Sequence, residues 1–577
     1  MKNKELANLF LEIKQLLELK GENPFKIRSY EKAADTIMSL TGDIKQIAER
    51  GELLKIPGIG KGISGKITEY VKTGEINELE KLKKEIPAGL VQMLKISGLG
   101  PNKIRHIRET LHIESMRGLE IAARRGDLAG IPGFGEKTER NILRGIEMVT
   151  RMSGRFLLPT AEETANGIIT WLGKNEKCSR ALTCGSYRRG CDTIGDIDIL
   201  AVSDEPQALI DEFTKRDDVE KVFASGKTKG SVFLKNNVQA DLRVIDKKSW
   251  GAACMYFTGS KQHNIKLREF ALKKGFTLNE YGLCKNRKSK DAAVEYAAGK
   301  TEKDVYKKLG LDFIPPELRE DRGEIESAQK GNLPRLIEIE DIKGDLHIHS
   351  VYSDGSAKIA EIAEAAGKTG YSWIAVCDHS RSLKIAKGLS VGDLMKKRKE
   401  IEKLNRSSKI RILFGAEVDI LPDGALDYPD EVLKELDVCI AAVHSAFRQP
   451  ADVMNRRILK AMDNPFVDIL AHPSCRLIGK REALAVDIER IIKKAKERGI
   501  ILEVNAFPDR LDLNDIHCRQ AVEEGVMLSL GSDTHALRQL SNVKYGIKTM
   551  RRGWVAKENV INTLTAENLL KIIRDGS

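Results

Sequence analysis

Between residues 341 and 577 the chain repeats one pattern seven times: a short apolar run, then a stretch of helical periodicity. The runs are GDLHIHS, WIAVCDHS, ILFGAEVDI, VCIAAVHS, VDILAHP, IILEVNAF and VMLSLGSDTH. Short apolar runs separated by helices predict buried parallel strands in βα units, and seven of them predict a closed, distorted (βα)7 barrel with one unit fewer than the common eight. Six of the seven runs end in residues that bind metals: His347 and His349, then His379, Glu417, His444, His472, and Asp533 with His535. Asp354 follows in the first loop, and the sixth run offers Asn505 instead. Residues at the carboxyl ends of parallel strands converge on one mouth. A lone histidine at a strand end is usually a hydrogen-bonded core residue, but nine ligand-type residues on one rim point to a metal centre. Mixed imidazole and carboxylate donors suit Zn²⁺ or Mn²⁺ better than Mg²⁺. Nine exceed one ion's capacity, so two or three ions are expected, and such clusters activate water against phosphoesters.

The N-terminal third has a different repeat. LLKIPGIGKG (53–62), LKISGLGPNK (94–103) and LAGIPGFGEK (128–137) share an apolar-(Pro/Ser)-Gly-apolar-Gly core between amphipathic helical stretches. Gly58, Gly98 and Gly133 mark the period, with Gly60, Gly100 and Gly135 two residues on. Glycines let another backbone approach, and the amides opening the next helix can hold phosphate. Each copy is trailed by Lys or Arg (Lys61, Lys103, Arg105, Lys137 and Arg140). These resemble helix-hairpin-helix units, which grip the DNA backbone without reading sequence, as phosphate-dominated affinity allows.

In the middle, ALTCGSYRRGCDTIGDIDILAV (181–202) reads strand, glycine turn, short helix, strand. Asp196 and Asp198 lie two apart on the second strand, so both carboxylates share a face. Asp241, in VQADLRVID, follows on the next strong strand pattern. Three carboxylates on adjacent strands can hold two Mg²⁺ about 3.5–4 Å apart, as nucleotidyl transfer requires. Gly185, Ser186, Arg188 and Arg189 would supply donors to a triphosphate.

YFTGSKQHN (256–264) narrows the choice: it closely resembles the stretch of family X DNA polymerases beneath the incoming sugar and base. The resemblance covers residues 1–320 and implies that Tyr256 and Phe257 line the sugar, Tyr256 blocking a 2′-hydroxyl. It implies that Gly259 belongs to the nucleotide site and that Asn264 contacts the base edge. Gln239 stands where better-known members carry an arginine beside the third aspartate. NPFKIRSYEKAADTI (23–37) and GKGISGKITEYVKTGEI (60–76) resemble the small domain that binds the 5′ side of a gap. Lys26 and Tyr30 match its phosphate pocket, and Lys66 the Schiff-base amine of lyase-active members, while Gly62 stands where some carry a second lysine. Residues 341–575 resemble a PHP (polymerase and histidinol phosphatase) domain with all nine ligand positions occupied, and Arg510 is a candidate phosphate holder at its mouth.

The expected organisation is multidomain: a small helical domain over 1–85, a helix-hairpin-helix region over 86–150, an α+β nucleotidyltransferase palm over 151–245, a thumb-like domain over 246–320, a linker over 321–340 and the barrel over 341–577. The net charge of +12 agrees with an anionic partner. Nine scattered cysteines without a C-x-x-C pair argue against disulfides. The absence of a long apolar run or an export-type N-terminus gives a cytoplasmic, non-membrane expectation. The expected function is repair synthesis across short gaps, of the base-excision kind, by a monomer that uses primed DNA and deoxynucleoside triphosphates. The barrel would act as a 3′-5′ exonuclease or 3′-end phosphoesterase. A metabolite nucleotidyltransferase fused to a small-molecule phosphatase and a non-catalytic DNA-end scaffold are the alternatives.

Overall fold

The computed structural model of the chain describes residues 2–39, 44–56, 58–94, 96, 99–131, 134–151, 154–285 and 296–575. Residues 1–153 form one compact unit. It is helical, and its apolar helix faces meet in one core that runs from Leu6 and Phe10 through Ile67 and Ile104 to Ile142 and Ile146. The boundary expected at residue 85 is therefore not a break in packing: both halves bury their apolar stripes against each other. Gly60 and Gly100 cap the helices Lys61–Thr73 and Pro101–Leu111 in extended backbone, and Gly135 precedes Glu136–Arg151. A Cβ at any of the three would meet nothing within 4 Å, so these helix starts are open to an approaching ligand. Gly58 turns the chain with φ +93°. Gly98 and Gly133 lie outside the described residues.

The second compact unit holds palm, thumb and barrel segments. The palm sheet comprises β1 (Arg180–Thr183), β2 (Asp196–Val202), β3 (Val219–Ser225), β4 (Lys229–Leu234) and β5 (Gln239–Ile245), in the order β1-β2-β5-β4-β3. Strand alternation sends Ile197 and Ile199 of β2 into a core under the helix Leu158–Gly173, and places the aspartates on the other face. The thumb carries the helices Trp250–Thr258 and Lys261–Lys273 and the sheet β6 (Phe276–Asn279), β7 (Gly282–Lys285) and β8 (Tyr296–Ala298).

Residues 321–340 are not the free linker expected. The helix Glu324–Lys330 lies within them, and Ile325, Ala328 and Leu336 share a core with Leu267, Tyr306 and Leu309 of the thumb. Glu324 is fully buried and meets the equally buried His263 Nδ1 at 2.6 Å.

The barrel strands are β9 (Gly344–Ile348), β10 (Trp373–Val376), β11 (Arg411–Asp419), β12 (Val438–Ala442), β13 (Ile469–Leu470), β14 (Ile501–Asn505) and β15 (Leu528–Gly531), parallel and in chain order. One set of alternating positions faces helices; the other fills the interior with Trp373, Leu413, Val438, Ile469 and Ile501, then smaller Ala375, Gly415, Ala442 and Ala471, and finally the ligands. Sequence thus grades the lumen from an apolar floor to a polar rim. The first and last strands meet through the parallel bridge Ile348–Thr534. Beneath it, the buried Asn562 side chain donates to the Gly344 and Leu530 carbonyls at 2.9 and 2.8 Å and accepts from the Leu530 amide at 2.7 Å. One asparagine therefore closes the seam.

The helix Val543–Arg552 forms one wall of the barrel and rests on the palm. Lys544 and Tyr545 bind Glu162, and Lys548 lies 4.5 Å over the Tyr187 ring.

Candidate active sites of the barrel and the palm

At the barrel rim Glu417 is 1% exposed and sits among five imidazoles. Its carboxylate lies 2.8 Å from His379 Nδ1, 3.0 Å from His472 Nε2, 3.2 Å from His444 Nε2, 3.4 Å from His347 Nε2 and 3.6 Å from His349 Nε2. Asp533 approaches His349 Nε2 at 3.3 Å, and Asp354 approaches His535 Nε2 at 3.3 Å. Eight of the nine predicted ligands fall into three overlapping groups whose donor atoms all lie within 4.8 Å: His349, Asp354, His379 and His535; His347, His349 and Asp533; and His379, Glu417 and His444. His472 joins through Glu417. His472 (φ 28°) and Asp533 (φ 53°) carry left-handed backbone, a strain of the kind that clusters at functional sites.

The donor atoms test whether cations fit. His347 Nε2, both ring nitrogens of His349, His379 Nδ1 and Glu417 Oε2 are buried and make no hydrogen bond. Such atoms are costly in a core unless something binds them. Burial, with the neighbouring His379 and His535, lowers His349 to about 4, so its ring is neutral and free to donate electron pairs. Burial opposes ionisation of Glu417 and Asp533, but the surrounding imidazoles, and Arg510 for Asp533, hold both well below the usual carboxylate range. Carboxylates in turn outweigh burial and raise His347, His444 and His535, the last two to about 9, so a cation that binds these rings displaces protons from them.

Two carboxylates escaped the sequence reading. Glu503 accepts from His347 Nδ1 at 2.6 Å and from the His472 amide at 2.8 Å. Asp419 meets His444 Nδ1 at 2.6 Å. Each fixes the tautomer of a ligand and aims its Nε2 at Glu417. The signal was an E-x-N and an E-x-D on β14 and β11, since residues two apart share a strand face. Asn505, the exception of the sixth strand, donates to Asp533 at 3.2 Å, and Arg510 Nε lies 3.3 Å from the same carboxylate.

On the palm, Asp198 stands opposite Asp241 in the parallel β2–β5 pairing, one step from Asp196. Burial, then Asp196 and Asp241, push Asp198 up to about 7; burial and Asp241 also raise Asp196. Three carboxylates that repel one another invite a cation. Asp241 accepts from Ser231 Oγ at 2.5 Å and from Gln239 Nε2 at 3.2 Å, with Lys229 Nζ at 3.4 Å. The cation beside the third aspartate thus comes from β4, and Gln239 supplies a hydrogen bond alone. Gly185 (φ 60°) opens the helix Gly185–Arg188, with Ser186 next in it, and a Cβ there would run into Asp198 Oδ2.

Arg188 is not free for a triphosphate: it binds Glu302 through both nitrogens and Thr258 Oγ1 at 2.6 Å. Arg189 donates to Glu320 at 2.9 Å and to the Thr258 carbonyl at 2.6 Å, while Arg552 of the barrel reaches the same Glu320 oxygen at 2.7 Å. A Cβ at Gly259 (φ 71°) would stand 3.2 Å from Arg189 Nη1. Tyr256 is 37% exposed, edge-on to Phe257 at 5.2 Å, and Asn264 donates to the Tyr256 carbonyl at 2.7 Å.

In the N-terminal unit, Lys26, Tyr30 and Lys66 converge on one residue, Glu78. Lys26 Nζ is 2.8 Å from its carboxylate, Tyr30 Oη 2.6 Å and Lys66 Nζ 3.5 Å.

Family models match in the order that this geometry suggests: a helix-hairpin-helix domain over 1–76, a SAM-like helix-hairpin-helix tandem over 90–147, the DNA polymerase beta palm over 160–269, the DNA polymerase beta thumb over 253–320 and a PHP domain over 345–507. The DNA polymerase/3′-5′ exonuclease PolX of Bacillus subtilis is 38% identical over 575 residues, 99% of each chain. A probable phosphatase of Thermoanaerobacter is 31% identical over 231 residues, 38% of this chain and 89% of that one. DNA polymerase lambda of Rattus norvegicus is 24% identical over 351 residues, 55% of this chain and 57% of its own. Among the described residues no helix is long and apolar enough to cross a membrane. With two candidate metal sites and a full-length relative of that kind, the chain belongs to the family X DNA polymerases that carry a PHP domain.

Proposed function

We propose that the palm fills short gaps in DNA by template-directed addition of deoxynucleotides, and that the barrel removes nucleotides or blocking groups from the 3′ end. The observation that carries this reading is the presence in one chain of two ligand sets of different chemistry, imidazoles with carboxylates gathered on the barrel rim and three carboxylates on adjacent palm strands. Asp196, Asp198 and Asp241 would hold two Mg²⁺, which when bound favour attack by a primer 3′-hydroxyl and departure of pyrophosphate. Gly185 keeps the space beside Asp198 clear, Ser186 would donate to the triphosphate, Arg189 would join it only on leaving Glu320 and the Thr258 carbonyl, and Tyr256, Phe257, Gly259 and Asn264 would receive sugar and base edge. His347, His349, Asp354, His379, Glu417, His444, His472, Asp533 and His535 would hold two or three Zn²⁺ or Mn²⁺, which when bound polarise a phosphodiester and activate water. Glu503, Asp419 and Asn505 orient those ligands.

The open hairpin glycines Gly60, Gly100 and Gly135, with the turn at Gly58, favour backbone contact with DNA, and Gly98 and Gly133 extend that proposal by the repeat. The relative named a probable phosphatase, matched over 38% of this chain, favours a 3′-phosphate as a second substrate form. The gathering of Lys66 with Lys26 and Tyr30 on Glu78 favours a lyase step at a 5′ abasic sugar. Borohydride trapping that Lys66→Ala leaves unchanged would end that part.

Primed, gapped DNA tests the whole. Asp198→Ala should abolish extension and spare 3′ shortening, and His349→Ala should do the reverse. Loss of both activities in either variant would refute two separate sites.

A further inference from the structure

Glu78 is the second residue of the helix Asn77–Glu85. Helix starts favour an acid, which explains a glutamate there but not its partners. Three donors from two other helices close on its carboxylate: Lys26 Nζ at 2.8 Å, Tyr30 Oη at 2.6 Å and Lys66 Nζ at 3.5 Å. Tyr30 is 4% exposed, so its hydroxyl has been brought out of water to meet an anion. Burial pushes the Glu78 carboxyl up, yet the hydrogen bonds from Lys26 and Tyr30 outweigh it and hold the group below its ordinary range. Glu69 lies 3.6 Å from Lys66 and adds a second negative charge to the same pocket.

A pocket of two ammonium groups and a phenol suits a phosphate monoester, and a carboxylate of the chain itself already fills it. We propose that Glu78 is a specificity-determining residue: an internal anion that occupies the 5′-phosphate pocket and must swing away before a DNA 5′ end can enter. This rests on the reading of Lys26 and Tyr30 as phosphate donors. A site open for only a fraction of the time binds more weakly by that fraction, so a pocket open about one tenth of the time loses tenfold in affinity. Because the competitor is tethered, that loss falls on 5′-phosphorylated ends and not on DNA lacking the phosphate.

The test compares affinities of the full-length chain for gapped duplexes ending in 5′-phosphate or 5′-hydroxyl, at fixed salt. Wild type should prefer the phosphate only weakly. Glu78→Gln keeps shape and hydrogen bonding but removes the charge, and should raise the preference about tenfold. Adding Lys26→Gln to it should cancel the gain, and an unchanged melting curve separates gating from misfolding. A strong wild-type preference unaltered by Glu78→Gln would overturn the gate and leave the phosphate pocket standing. No preference in either protein would overturn the pocket and the gate with it.

Discussion

The two candidate metal sites share one chain and solve one problem, the gathering of negative oxygen around cations, by different means. The palm uses three carboxylates on adjacent parallel strands, with Asp196 and Asp198 only partly buried and pushed up by mutual repulsion. The barrel uses nine side chains from several strands, six of them buried, with Glu503 and Asp419 behind the imidazoles. A site short of ligands needs its substrate to complete the coordination and can exchange ions at every turnover. A site rich in nitrogen donors keeps its ions and becomes part of the fold. The difference predicts that divalent metal exchanges readily at the palm and is retained at the barrel.

The sharpest way to break the comparison is at Gly185. Alanine there would meet Asp198 Oδ2 and adopt left-handed backbone. A displaced carboxylate of about 1 Å costs about 10²-fold in rate. Primer extension by Gly185→Ala should therefore fall at least about that far, with 3′-end shortening unchanged; equal loss of both would mean that the sites are mechanically one. Next in size, Glu503→Gln should weaken metal retention in the barrel about 10–100-fold, as removal of a ligand's outer partner does. Metal content after dialysis against a chelator measures it, and the palm's Mg²⁺ dependence should not move.

The smallest effect concerns stability. Asp198 has a folded pKa of about 7, above the ordinary value of 3.8. Its contribution is fully present at low pH and is lost as pH rises through the window between those values, because the folded state then carries a repelled charge. Metal-free Asp198→Asn should thus melt several degrees higher than wild type at pH 8 and equally at pH 4, with added Mg²⁺ narrowing the gap. No pH dependence in the difference would mean that the carboxylates ionise without strain.

The ligand-bearing strands were legible because βα periodicity and histidine placement are local and repeated, and D-x-D was legible because strand alternation puts both acids on one face. What stayed hidden depends on distant partners. Arg188 looked available for phosphate until its partner Glu302, 114 residues away, was in place. Arg189 shares Glu320 with Arg552, which no spacing along the chain foretells. Glu503 could be read as one more strand acid, because only the ring closure brings it behind His347, 156 residues away. Residues 321–340 read as a linker, and only the fold shows that Ile325, Ala328 and Leu336 join the thumb core.

The seam of the barrel sets an order of events. Gly344, in the first strand, relies on Asn562, 218 residues further on, whereas β2 finds its partner β5 within a few dozen residues. Contacts so far apart form slowly, because the loop between them must be closed first. On a ribosome the palm can therefore settle while the ring is still an open sheet, and the chain gains its capacity to extend DNA before its capacity to trim it.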